Sequence, residues 1–123
     1  GLYSPMEVSR GLSQRLKDKY FRPKDGKFQV VEKLRDVIEF RALNLLTDPP
    51  PMGVMDIVLI RNVLIYFDAP SRENILQKAA TMMANGAYMM LGSSEAGVAH
   101  PSLEQVRFGR TICYRRRYAF NGL

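Results

Sequence analysis

Arg61 and Asn62 are polar residues set between two apolar runs, Met55-Asp56-Ile57-Val58-Leu59-Ile60 before them and Val63-Leu64-Ile65-Tyr66-Phe67 after. Burying an unpaired guanidinium is expensive, so this setting predicts a partner for Arg61. Two answers stand at this level. One is a carboxylate such as Asp56 or Asp68, or carbonyls left open at a strand end; the other is a bound anionic group. A second polar set, Ser93-Ser94-Glu95, follows the apolar run Tyr88-Met89-Met90-Leu91. If both runs are parallel strands, the two polar sets share the carboxyl edge of the sheet, where open α/β sheets bind ligands.

Other chemistries have little to build on. One His and one Cys cannot make a zinc site, and His100, in a loop rich in Gly, Ala and Pro, is expected to be solvent-exposed rather than catalytic. There is no P-loop, G-x-G-x-x-G or G-x-S-x-G string. Tyr20, Phe21, Phe28 and Phe40 read as core rather than base-stacking platforms, and the pairs Met82-Met83 and Met89-Met90 as core filler.

The elements that must position Arg61 and Asn62 follow from periodicity. Residues 55–60 read as a strand covered on both faces in a parallel sheet. Pro70 and Ser71 open a helix with Ile75, Leu76, Ala79, Ala80 and Met83 on its apolar face, and Asn85-Gly86 is expected to close it. Residues 88–91 are the next strand, giving a strand-helix-strand unit with a right-handed crossover. Residues 105–108 and 111–118 read as a closing antiparallel hairpin joined at Gly109-Arg110. Upstream, residues 5–19 look helical with a break at Gly11, and residues 20–31 form a hairpin around Asp25-Gly26. Residues 37–43 are a strand candidate, stopped by Asp48-Pro49-Pro50-Pro51, which reads as a stiff loop.

The composition suits an ordinary folded domain: of 123 residues, 46% are hydrophobic and 24% charged. The longest stretch without Asp, Glu, Lys or Arg, residues 79–94, has 16 residues and is broken by Asn85-Gly86, short of the ~20 that a membrane span needs. With no secretory signal pattern and Cys113 as the single cysteine, a reducing cytoplasmic compartment is the expectation. The net charge of +6 is uneven, with residues 1–35 at +5, residues 36–100 at −3 and residues 101–123 at +4. Such basic ends serve as solvated surface, or attract nucleic acid, an anionic membrane face or an acidic protein. A non-catalytic basic module that binds protein or nucleic acid is therefore the alternative to an enzyme. It has no use for an apolar-Arg-Asn-apolar-Tyr string, so nucleic acid is not favoured as a partner.

The 13-residue string from Met55 through Arg61-Asn62-Val63-Leu64-Ile65-Tyr66-Phe67 resembles the hallmark of the CheR-type chemotaxis receptor methyltransferases. Similar strings lie in order around it: Phe40-Arg41-Ala42-Leu43-Asn44-Leu45-Leu46, Gly92-Ser93-Ser94-Glu95 and Thr111-Ile112-Cys113-Tyr114. The resemblance implies transfer of a methyl group from S-adenosylmethionine to receptor glutamates, with S-adenosylhomocysteine as product. It implies an α/β fold comprising part of a doubly wound, Rossmann-like methyltransferase sheet, from the third strand onward and ending in an antiparallel hairpin, with a small antiparallel β subdomain. Residues 1–35 would hold a helical segment and the hairpin subdomain, and residues 36–123 the C-terminal part of the catalytic domain. The segment that holds most of the cofactor in the family would precede this chain, leaving a fragment inactive by itself.

Carried over residue by residue, the resemblance puts Asn44 and Leu45 beside the cofactor's adenine, Arg61 and Asn62 at its pocket edge, and Tyr66 against the sulfonium. Arg61 could also orient the substrate carboxylate, so Tyr66 and Arg61 are the catalytic candidates. A glutamate with a pKa of about 4.3 is already an ionised nucleophile at neutral pH, so no general base is required and positioning is the main task. The implied partner is a methyl-accepting chemotaxis receptor, met without insertion into the membrane. With the first two sheet strands absent, residues 37–43 would either pair directly with residues 55–60 or leave edges that a second copy covers by dimerising.

Overall fold

The computed structural model describes residues 1–47, 53–95 and 97–118. The proline-rich loop expected at residues 48–51 lies outside them. The described chain divides into two compact units, Gly1–Ala42 and Leu43–Leu123.

In the first unit, Ser4 opens helix α1 (Pro5–Ser9) through a capping box. Its backbone N–H donates to Glu7 Oε2 at 2.7 Å while its Oγ accepts from the Glu7 N–H at 3.3 Å. The hydrogen bonds from Ser4 hold the Glu7 carboxyl below its usual range. Gly11, in the left-handed region at φ +73°, separates α1 from α2 (Gln14–Tyr20), which Ser13 caps. The expected break at Gly11 is therefore present. Strands β2 (Phe21–Lys24) and β3 (Lys27–Val30) form the expected hairpin, with Asp25 at φ 48° and Gly26 at φ 72°, the pair of positive angles that a two-residue turn of the favoured hand requires. A two-residue strand β1 (Leu2–Tyr3) adds to the other edge of β3 and brings Tyr3 edge-on to Phe21, with ring centroids 5.8 Å apart. Helix α3 (Glu32–Arg35) follows.

Residues 37–43 are not a strand, which corrects the sequence expectation, and they do not pair with residues 55–60. A strand exists only through its neighbour's hydrogen bonds. Among the described residues this segment has no such neighbour, and its Phe40 is 90% exposed. The charged pair Glu39 and Arg41 meets within the segment, the Arg41 Nε donating to Glu39 Oε1 at 2.6 Å.

The second unit is a four-stranded mixed sheet in the order β4-β5-β7-β6. Strands β4 (Met55–Ile60) and β5 (Met83–Leu91) are parallel and joined through helix α4 (Ala69–Met82); β6 (Leu103–Phe108) and β7 (Thr111–Arg116) form the closing hairpin. Asp68 caps α4 by accepting the Ser71 N–H at 3.0 Å. Ile75, Leu76, Ala79 and Ala80 of α4 pack against Leu64, Met89, Leu103 and Tyr114, all buried. At about 1.5–3 kcal/mol for each large apolar side chain, this layer is what holds the unit together.

Two further expectations are corrected here. Asn85-Gly86 does not close α4, which ends at Met82. The pair lies inside β5, where the register against β4 jumps from Met55 opposite Met83 to Ile57 opposite Tyr88, and Gly86 at φ 79° accommodates the extra residues. Nor is β4 covered on both faces. Val58 and Ile60 pack on the core, but Ile57 and Leu59 are each 65% exposed, and β4 is an edge strand. Among the described residues, no helix is long and apolar enough to cross a membrane.

Candidate functional site

Beyond the carboxyl end of β4 the chain does not continue as a strand. Asn62 adopts φ 58°, and residues 64–66 close a single 3₁₀ turn, with the Tyr66 N–H donating to the Val63 carbonyl at 3.2 Å. The turn buries Leu64 under α4 and leaves Tyr66 81% exposed. A turn this tight orphans the backbone N–H groups at its start, and an unmet buried donor costs about 1–3 kcal/mol. Glu95 meets them. Its Oε2 accepts from Asn62 N–H at 2.9 Å and Gly92 N–H at 2.9 Å, and its Oε1 from Val63 N–H at 2.9 Å and Ile65 N–H at 3.3 Å.

Glu95 ends the second loop of the same sheet edge, a 3₁₀ turn over Ser93–Glu95 directly after β5, and is only 7% exposed. Burial pushes its pKa up, but the N–H groups of Gly92 and of the turn starting at Asn62 outweigh that and hold the carboxyl below its ordinary value. Gly92 is fixed by the same arrangement. A Cβ there would sit 2.5 Å from Asn62 Oδ1, 2.7 Å from Glu95 Oε2 and 2.9 Å from the Asn62 nitrogen.

Arg61, Asn62 and Tyr66 thus fall in one carboxylate-clamped turn. The expectation that Arg61 needs a buried partner is corrected: its side chain is exposed, with no hydrogen-bond or ion-pair partner among the described residues. The groups that needed partners were the backbone amides beside it. Asn44 and Leu45 lie elsewhere. They border a cavity of about 230 Å³ walled by Val58, Ile60, Ile75 and Ala79, whereas Arg61 borders a separate cleft of about 450 Å³. Asn44 Oδ1 accepts the Leu46 N–H at 3.0 Å, and Lys78 Nζ donates to the Leu46 and Thr47 carbonyls at 3.0 and 2.6 Å, fastening this segment to α4.

The role of Glu95 escapes the sequence reading, although its signal is present. A small residue followed three positions later by Glu, just after a strand, is the spacing at which a carboxylate folds back on the first residue's N–H. His100 is corrected as well. It is 8% exposed, and its Nδ1 accepts the Ser102 N–H at 3.2 Å. Tyr114, also buried, accepts the N–H groups of Gly97 and Val98 at 2.8 and 3.2 Å and so pins the loop that leads to it.

The second unit is an α/β domain whose mixed sheet gathers polar turns at the carboxyl edge of its two parallel strands, the edge where open α/β sheets bind ligands. Residues 1–113 match the family described as CheR methyltransferase, SAM binding domain. The chain is 42% identical over 97 residues to Chemotaxis protein methyltransferase Cher2 of Pseudomonas putida, a match covering 78% of this chain and 35% of that protein. It is 41% identical over 97 residues to Chemotaxis protein methyltransferase 1 of Pseudomonas aeruginosa, with the same coverage. To the Chemotaxis protein methyltransferase of Vibrio parahaemolyticus it is 33% identical over 118 residues, 94% of this chain and 42% of that protein. The chain belongs to the CheR methyltransferase family, and spans about two fifths or less of the length of these relatives.

Proposed function

We propose that this chain is the C-terminal part of the catalytic domain of a cytoplasmic protein-glutamate O-methyltransferase, which moves a methyl group from S-adenosylmethionine to glutamate side chains of chemotaxis receptors. The observation that carries the reading is the Glu95-clamped turn, which presents Tyr66 and Arg61 at the carboxyl edge of the parallel strands. On this reading residues 43–118 belong to a doubly wound, Rossmann-like sheet. The open edge of β4 is where the remaining strands of the family's domain pair, and in the isolated chain that edge is open to a second copy instead.

The residues present fit such a cofactor. The apolar cavity beside Asn44 and Leu45 suits the flat face of an adenine ring, and Asn44 keeps its amide N–H₂ for a polar ring edge because its Oδ1 is already used within its own turn. Arg61 and Asn62 lie past the carboxyl end of β4, Arg61 on the neighbouring cleft, and on this reading they hold the part of the cofactor that extends beyond that cavity. When bound, S-adenosylmethionine supplies a methyl group on a positively charged sulfur. A glutamate that receives the methyl group is already ionised at neutral pH, so this chain's residues would have no proton to move. The work left to the protein is alignment. Tyr66 lays its ring or hydroxyl beside the positive charge, and Arg61 orients the incoming carboxylate.

The test is to incubate the complete protein carrying these residues with methyl-tritiated S-adenosylmethionine and the cytoplasmic part of a chemotaxis receptor. The expected product is receptor-bound tritium that mild alkali releases as methanol, the mark of a carboxylate ester. Alkali-stable label, or none, would sink the reading.

A further inference from the structure

Between the start of α4 and the loop that carries His100 lies a cavity of about 280 Å³. Leu64, Leu76 and Val98 give it apolar walls, Glu95 closes the side towards the clamped turn, and Arg72 and Glu73 stand at its exposed rim. Its volume is at the small end of the ~300–1,000 Å³ that ligand pockets span, so it suits a molecule of amino-acid size and not a nucleoside. His100 points to what such a molecule must offer. Its Nδ1 accepts the Ser102 N–H at 3.2 Å. A ring nitrogen that accepts carries no proton, so the neutral imidazole holds its proton on Nε2. That N–H has no partner among the described residues, although the side chain is only 8% exposed. No side-chain nitrogen or oxygen among the described residues is sealed in the interior without a partner, so Nε2–H opens on space, and the space His100 borders is this cavity.

The charges around that donor are mixed. Arg72 makes no hydrogen bond or ion pair through its side chain, its charge reaching only the capping Asp68 without contact, and the Glu73 carboxylate has no such partner either. Glu95 has both oxygens occupied by backbone N–H groups. A simple anion in the cavity would meet two carboxylates, and a simple amine would leave the imidazole N–H and the guanidinium unmet. A zwitterion answers both signs. We infer that this cavity binds a free α-amino acid with a small aliphatic side chain, its carboxylate accepting from His100 Nε2–H and Arg72, its ammonium on Glu73, and its side chain against Leu64, Leu76 and Val98. The site is independent of the reaction proposed above. Its occupant lies against the buried side of the turn that presents Tyr66, because Leu64 and Glu95 belong both to that turn's support and to the cavity wall.

The experiment is a nitrogen-15 NMR titration of the chain with L-leucine, with isocaproate, which lacks the ammonium, and isoamylamine, which lacks the carboxylate, as comparison probes. With leucine raised to about 10 mM, the expected result is saturable shifts centred on the amides of Leu64, Arg72, Val98 and His100. Each comparison probe should bind at least about fivefold more weakly. Glu73→Gln should weaken leucine about threefold to fivefold while leaving isocaproate bound as before or better, and Arg72→Gln should weaken both by a similar factor; the rest of the spectrum should stay unchanged because both positions are exposed. His100→Asn, whose side-chain oxygen can still accept the Ser102 N–H, should weaken leucine at least about fivefold, and if that variant loosens the loop the two rim variants decide by themselves. No shifts, equal binding of leucine and isocaproate, shifts centred on the cavity of Asn44 and Val58 or on the cleft of Arg61, or an affinity that neither Arg72→Gln nor Glu73→Gln changes would each overturn the inference.

Discussion

The two segments that flank β4, residues 43–47 before it and residues 61–66 after it, are the ones the proposal sets beside one cofactor, and they are held by opposite devices. The later segment is fastened from within, by one buried carboxylate that accepts four backbone N–H groups from two loops. The earlier one is fastened from outside, by a lysine ammonium donating to two carbonyls at the surface. A buried anion with every lone pair used tolerates little change. A hydrogen bond from a lysine to an exposed carbonyl is worth less by itself, because water replaces it at small cost. The Tyr66 side of the site is therefore built as a fixed wall and the Asn44 side as a yielding one.

The sharpest way to break the contrast is Gly92→Ala. The added methyl meets Asn62 Oδ1, Glu95 Oε2 and a backbone nitrogen, none of which can retreat without losing a Glu95 hydrogen bond. A loss of about 3 kcal/mol in denaturant unfolding is expected, with the Asn62 to Ile65 amides losing protection. Glu95→Gln comes next. It keeps the size but turns one acceptor oxygen into a donor facing N–H groups, and about 2 kcal/mol should be lost. The pH dependence carries the same sign. Because the folded pKa of Glu95 lies below the ordinary 4.5, its contribution is fully present above about pH 4.5 and is lost as the pH falls through the folded value. Acid unfolding curves of the parent should show this loss, and those of Glu95→Gln a shallower one.

On the yielding side, Lys78→Met should loosen residues 44–47 while leaving the Asn62 to Ile65 amides protected, read by amide exchange. Smallest of all is the stability effect of Tyr66→Phe, expected within about 0.5 kcal/mol because the ring is exposed. In the complete enzyme the same substitution should lower turnover at least about tenfold with little change in cofactor affinity, whereas Arg61→Ala should act chiefly on affinity. Turnover equal to the parent would remove Tyr66 from the reaction.

The same contrast separates what was legible in the sequence. Local chemistry could be read: the Ser4 capping box, the Asp25-Gly26 turn, the break at Gly11 and the apolar face of α4 are each written within a few residues. The failures share a dependence on partners distant in sequence. Residues 37–43 have the alternation of a strand, but a strand requires a neighbour and none of the described residues pairs with them. Asn85-Gly86 has the form of a helix cap, but pairing with β4 drew it into β5 as an irregularity. Arg61 looked buried because apolar residues flank it on both sides. The 3₁₀ turn that exposes it depends on Glu95, more than thirty positions away, and no pattern around Arg61 contains that residue. The string that carries the family resemblance was legible without any of this geometry.

One carboxylate fixes the turn presenting Arg61 and Tyr66, and amide hydrogen exchange of the chain near neutral pH reads this out. In the parent, the amides of Asn62, Val63, Ile65 and Gly92 should be protected together, and in Glu95→Gln all four should exchange faster while the amides of β5 and β7 stay protected. Four amides that exchange freely in the parent, or that keep their protection when Glu95 is replaced, would contradict it.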